Sequence, residues 1–156
     1  MNIFAFNEEM GRLICILLAL VPWKTLILKD EQCRIISERG LIFLLIISGV
    51  HLCWIPIFWK SVGILTGGAI FFHRILPLWW KKPFLGEGDV KLFSLCGLWI
   101  DIEQLPIFLI VVGATGILRC LIARKRCIPF AFPLFWGWLF CACKMWWQQC
   151  GDLYML

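Results

Sequence analysis

The run from Leu105 to Ala123 carries one charged side chain, Arg119, and is otherwise almost wholly apolar or small. An α-helix needs about 20 such residues, with about 17 tolerated, to cross the hydrocarbon core of a bilayer. Comparable runs recur along the chain, and they constrain its fold more than any other feature. The chain is 62% hydrophobic and 16% charged, with a mean hydropathy of +0.88. Soluble domains run about 45–50% apolar and about 25% charged. A domain of 156 residues cannot hide this much apolar surface, so the lipid bilayer must solvate much of it. The expectation is an all-α polytopic membrane protein, residues 1–156 forming a single transmembrane domain.

Six segments are predicted: about Leu13–Leu28, Gly40–Phe58, Val62–Trp80, Asp89–Ile100, Leu105–Ala123 and Ile128–Trp147. The fourth is short. It is either a half-helix covered by its neighbours, which membranes tolerate, or it extends upstream through the glycines. Ten bases fall in or beside the loops after segments one, three and five: Lys24, Lys29, Arg34, Arg39, Lys81, Lys82, Lys91, Arg124, Lys125 and Arg126. The other side has Glu8, Glu9, Asp101, Glu103 and Asp152, with only Arg12, Lys60 and Lys144 as bases. The excess of Lys and Arg puts the first set of loops in the cytoplasm and both termini outside. The net charge of +5 therefore speaks to orientation, and no nucleic-acid partner is expected. Glu8 and Glu9 stand where a secretory leader carries bases, so no cleaved signal is expected.

The nine cysteines contain no CxxC pair, and an odd, scattered set argues against a disulfide framework or a zinc site. They are expected to pack as small apolar residues. No metal or other cofactor is called for. Arg74 lies about six residues from the cytoplasmic end of the third segment, roughly 9 Å along the helix, and reads as a snorkelling anchor. His73 reads as packed or interfacial, and Arg119 lies near the cytoplasmic end of the fifth segment. Trp54, Trp59, Trp79, Trp80, Trp146 and Trp147 sit near segment ends, as interfacial belts require.

The first segment runs inward and ends at Asp30. The fourth runs outward and begins at Asp89. Both carboxylates thus reach one membrane face, where acids at a lipid boundary are costly and point to function. Two close carboxylates share a proton, so that one serves as acid and the other as base, the chemistry of aspartic proteases. Gly86 and Gly88 flank Glu87 and leave room for a close approach. Each acid also has a structural reading, Asp30 as a helix end among bases and Asp89 as an N-cap.

The stretch GEGDVKLFSLCGLWIDIEQLP, Gly86 to Pro106, resembles the second active-site block of type IV prepilin peptidases, membrane aspartic proteases with a GxGDxKL signature, through Gly86, Gly88, Asp89, Lys91, Leu92 and Gly97. GILTGGAIFFHRILPLWW resembles the glycine-bearing helix before that block. CIPFAFPLFWGW resembles the family's IPFGP-type segment through Ile128, Pro129, Phe130 and Gly137, with Ala131 and Phe132 in place of Gly-Pro. DEQCRIISE resembles the first block, Asp30 aligning with its aspartate, but Ser37 stands where the family has proline. The resemblance covers roughly Leu13 to Leu139. It implies a GxGD-type membrane aspartic endopeptidase with Asp30 and Asp89 catalytic, Gly86, Gly88 and Lys91 supporting, and no metal.

The implied substrate is a pilin or pseudopilin precursor whose short basic leader is cut at the cytoplasmic face of the cell membrane. The N-terminal part with paired CxxC motifs, linked to N-methylation in larger relatives, has no counterpart here, so a peptidase-only form is implied. The alternative is a small membrane transporter or assembly subunit without catalysis, using Asp30 and Asp89 for a cation, a proton or helix contacts. An inactive relative of the peptidases lies between the two. The sequence leaves the oligomeric state and the particular precursor open.

Overall fold

A computed structural model describes residues 3–53, 59–80, 85–123 and 129–154. The ordered elements are helical: α1 (Ile3–Cys33), α2 (Glu38–His51), α3 (Trp59–Ile70), a π-helical turn (Phe71–Ile75), α4 (Leu76–Trp80), α5 (Glu87–Gly97), a 3₁₀ turn (Ile102–Gln104), α6 (Leu105–Ala123) and α7 (Ala131–Tyr154). α3, the π turn and α4 follow one another without a break, so six helical rods answer to the six predicted segments. Among the described residues, three stretches are long and apolar enough to cross a membrane: Met10–Cys33, Trp59–Trp79 and Ile102–Ala123. The protein is an all-α, polytopic membrane protein.

The boundaries differ from the hydropathy runs where polar residues continue a helix or backbone geometry stops one. α1 goes past Leu28 to Cys33 because its last turn is capped by tertiary contacts rather than by lipid. Arg34 then takes a left-handed backbone conformation, φ 54°, and its N–H bonds back to the Asp30 carbonyl at 3.0 Å. α2 stops at His51, and residues 54–58, including Trp54 and the predicted end at Phe58, lie outside the described residues. α5 has 11 residues and a length of about 16 Å at the helical rise, too short to cross alone. It is held inside the bundle. Gly97 permits this: a Cβ there would stand 2.8 Å from the Val62 Cα, so only glycine lets the α3 backbone come so close. One turn earlier, Thr66 Oγ1 donates to Ser94 Oγ at 2.9 Å.

The core is aromatic. Trp23 of α1 packs edge-on against Phe135 and at 5.7 Å from Trp138, both of α7, while Trp99 meets Trp138 at 5.3 Å. These three tryptophans are buried, whereas Trp59, Trp79 and Trp147 are exposed near helix ends, as an interfacial belt requires. Cys15, Cys96 and Cys141 are buried in the core as small apolar groups. Exposed Ile, Leu and Phe side chains such as Phe43, Ile110 and Leu121 coat the outside and face the surrounding lipid.

At one end of the bundle lie the end of α1, the starts of α2, α5 and α7, and the end of α6. Contacts between Asp30 and Ala131, Glu31 and Arg119, and Glu38 and Lys91 bring them together. The predicted grouping of alternate loops at one face therefore holds for the described residues. Lys81, Lys82, Arg124, Lys125 and Arg126, which carry part of the charge bias, lie outside them.

Candidate functional site

Asp30 occupies the last turn of α1 and is 5% exposed. A buried carboxylate requires hydrogen-bond donors. The Ala131 N–H donates to Asp30 Oδ2 at 2.8 Å, and the Phe130 N–H also acts on the group. Ala131 opens α7, whose first N–H groups have no partner inside the helix. The acid of one helix therefore sits on the positive end of another, where the helix dipole favours an anion. Its neighbour Glu31 pairs instead with Arg119 of α6, whose guanidinium lies 4.2 Å from the ring centre of Phe132. Two consecutive acids thus tie the end of α1 to two different helices.

Asp89 is the third residue of α5, with Gly86 as the cap. Its Oδ2 accepts the Gly86 N–H at 3.1 Å. This is one half of a capping box. The other half requires a side chain on the cap residue, and glycine has none. Burial pushes the Asp89 carboxyl up to about 6; the Gly86 N–H opposes the shift and the charge of Asp30 adds to it. That coupling places the two acids within electrostatic reach. Asp89 lies at the head of a helix that does not span by itself, outside the three crossing stretches.

Both acids line one cavity of about 290 Å³, together with Arg34, Glu38, Glu87 and Lys91. Gly88 closes one wall: a Cβ there would stand 2.7 Å from the Ile36 Cβ, so glycine is what lets the head of α5 meet the loop after α1. At the rim, Lys91 Nζ stands 4.0 Å from Glu38 Oε1, and Arg74 stands 4.0 Å from Glu87 Oε1. Both pairs are largely exposed and worth at most about 1 kcal/mol. His73 Nδ1–H donates to the Leu85 carbonyl at 2.7 Å and fixes the approach to Gly86. A larger groove of about 560 Å³ runs between α1 and α2, and no acid lines it.

All five residues singled out in the sequence, Asp30, Asp89, Gly86, Gly88 and Lys91, line this cavity. Sequence reasoning missed the Ala131 N–H, the Glu31–Arg119 pair and the Ile36–Gly88 contact. A signal for the first existed: Pro129 stands two residues ahead of the start of α7 at Ala131. Ala131 contributes its backbone N–H to Asp30, a group any residue but proline supplies. Ser37 has φ −68°, a value proline also imposes, so the backbone there accepts either residue.

No curated protein and no solved structure matches the chain. The match that does occur covers residues 11–121, the greater part of the sequence, and it takes in both acids and the glycines between which Glu87 lies. By that match the chain belongs to the type IV leader peptidase family.

Proposed function

We propose that this protein is an aspartic prepilin leader peptidase that removes the short basic leader of a pilin-like precursor at the cytoplasmic face of the cell membrane. The observation that carries the reading is the shared cavity: two acids from helices far apart in the chain line one pocket and feel one another's charge. Asp30 is held by the N-terminus of α7, where the helix dipole favours an anion, and serves as the base. Asp89, half-buried and raised to about 6, is the better keeper of the shared proton. A water between them loses a proton to Asp30 as its oxygen attacks the scissile carbonyl. The tetrahedral intermediate then collapses, the C–N bond breaks, and the leaving amine takes a proton from the dyad.

The basic loops at this face are poorly matched to a basic leader. Glu38 and Glu87 relieve the mismatch. Each is exposed at the cavity rim and held by a loose pair, so a cationic leader can displace Lys91 or Arg74 at little cost. Lys91 has a supporting role, balancing charge beside the dyad or binding the substrate backbone.

The test is co-expression with a pilin precursor. Asp30→Asn and Asp89→Asn are each expected to abolish the mobility shift of the precursor while leaving protein level and membrane insertion unchanged. Processing by both variants overturns the catalytic assignment and favours a non-catalytic membrane subunit. Lys91→Ala is expected to slow processing by about tenfold or less, the scale of about 1.4 kcal/mol; a loss as complete as in the aspartate variants contradicts its supporting role.

A further inference from the structure

A second hollow, of about 410 Å³, lies between α2 and α5. Its walls are Leu41, Ile42 and Leu45 on α2, Val62 on α3, Val90 and Ser94 among others on α5, and Leu98 just past the end of α5. Leu41 and Leu45 are one helical turn apart, as are Val90, Ser94 and Leu98 in succession, so each helix presents one face to the gap. Contacts fasten α2 and α5 near both ends of the gap. At the site end, Gly88 abuts Ile36 and Lys91 pairs with Glu38. At the far end the Trp99 indole N–H donates to Ser48 Oγ at 2.7 Å, and His51 stacks on Trp99 at 3.8 Å. Between these fastenings α5 is drawn toward α3 by Gly97 and by the Thr66–Ser94 bond, which leaves α2 standing off.

The far end is shut by the Ser48–Trp99–His51 clasp. The near end adjoins the cavity of the two acids, since Leu41 and Lys91 line both spaces. The larger groove between α1 and α2 shares no lining residue with that cavity. Ile42 and Leu45 on the lip are more than half exposed and face the bilayer. From Val90 to Leu98 the groove spans about 12 Å, two helical turns.

The geometry points to this groove as the docking site for the apolar helix of the precursor, seated so that the peptide bond at its inner end enters the cavity. The inference rests on the peptidase reading above. A membrane lipid also fits the apolar walls, but its phosphate would lie in a cavity where the acids Asp30, Glu38, Glu87 and Asp89 outnumber the bases Arg34 and Lys91. A peptide whose apolar helix follows a cationic leader has the matching polarity: apolar along α2 and α5, positive beside Glu38 and Glu87.

A benzophenone amino acid in place of Ile42 tests this, with one in place of the exposed Ile110 of α6 as the comparison, both in the Asp89→Asn protein co-expressed with a pilin precursor. On illumination the Ile42 position is expected to give at least tenfold more adduct with the precursor than the Ile110 position. Equal or lesser adduct at Ile42, or adduct with phospholipid in its place, overturns the docking site, whether or not the unsubstituted protein cleaves the precursor. Strong adduct at Ile42 without cleavage by the unsubstituted protein upholds the docking site and removes the peptidase reading.

Discussion

Asp89 can work as an acid only while it holds a proton, and its environment decides how far up the pH scale that lasts. Burial and the nearby Asp30 charge raise it to about 6, so the protonated form is lost as pH rises through that value. For the free protein, kcat/KM of leader cleavage is therefore expected to fall on the alkaline side, with a midpoint within about a unit of 6. A profile flat from pH 5 to 8 contradicts the role given to Asp89. Gly88 acts by being small. Gly88→Ala forces its new methyl against Ile36 and is expected to cut processing by at least tenfold. Ile36→Gly in the same chain removes the clashing atom and is expected to restore part of it, measured by precursor mobility. At this scale the sequence was informative about residue type and silent about partners. Asp30 and Asp89 stood out as acids at apolar boundaries, but nothing adjacent in the chain pointed to the N–H of Ala131. That bond joins residues 101 apart and exists only after packing.

The short segment after α1 shows how local geometry survives a change of residue. Ser37 is the N-cap of α2, at φ −68° and ψ 119°, and its side chain makes no capping bond. Ser37→Pro is thus compatible with the backbone and narrows the unfolded chain, and it is expected to stabilise the protein by about 0.5 kcal/mol. Thermal unfolding in detergent checks this; a lowered Tm means the Ser37 N–H or the preceding Ile36 conformation matters. The helices themselves were legible because apolar runs of this length have few alternatives in lipid. Their ends were not. α1 continues through Lys29, Asp30 and Glu31 because other helices supply partners for those side chains, and α5 stops at Gly97 against α3. Hydropathy carries no information about either. The same limit hid the clasp of Ser48, His51 and Trp99, which brings together side chains from α2 and from just beyond the end of α5.

For the whole molecule, the ends of the bundle are chemically distinct. One gathers Asp30, Asp89, Glu38 and Lys91; the other holds His51, Trp99 and the exposed Cys53. Cys33, exposed where α1 ends, belongs to the first. With the orientation proposed from the basic loops, a chain retaining only Cys53 is expected to react with a membrane-impermeant maleimide in intact cells. A chain retaining only Cys33 should react only after permeabilisation. The reverse pattern inverts the orientation. The arrangement of alternate loops at one end could be anticipated from charge and segment count, since a missed crossing would scatter the bases over both sides.

The bond from Ala131 to Asp30 has a temporal meaning as well as a spatial one. A ribosome releases the first acid early, yet the backbone group that steadies it is made only as the final rod begins. Until that rod is inserted, the nascent protein holds Asp30 with no Ala131 beside it. The setting of Asp30 is thus complete only once the start of α7 has been made and packed against the end of α1.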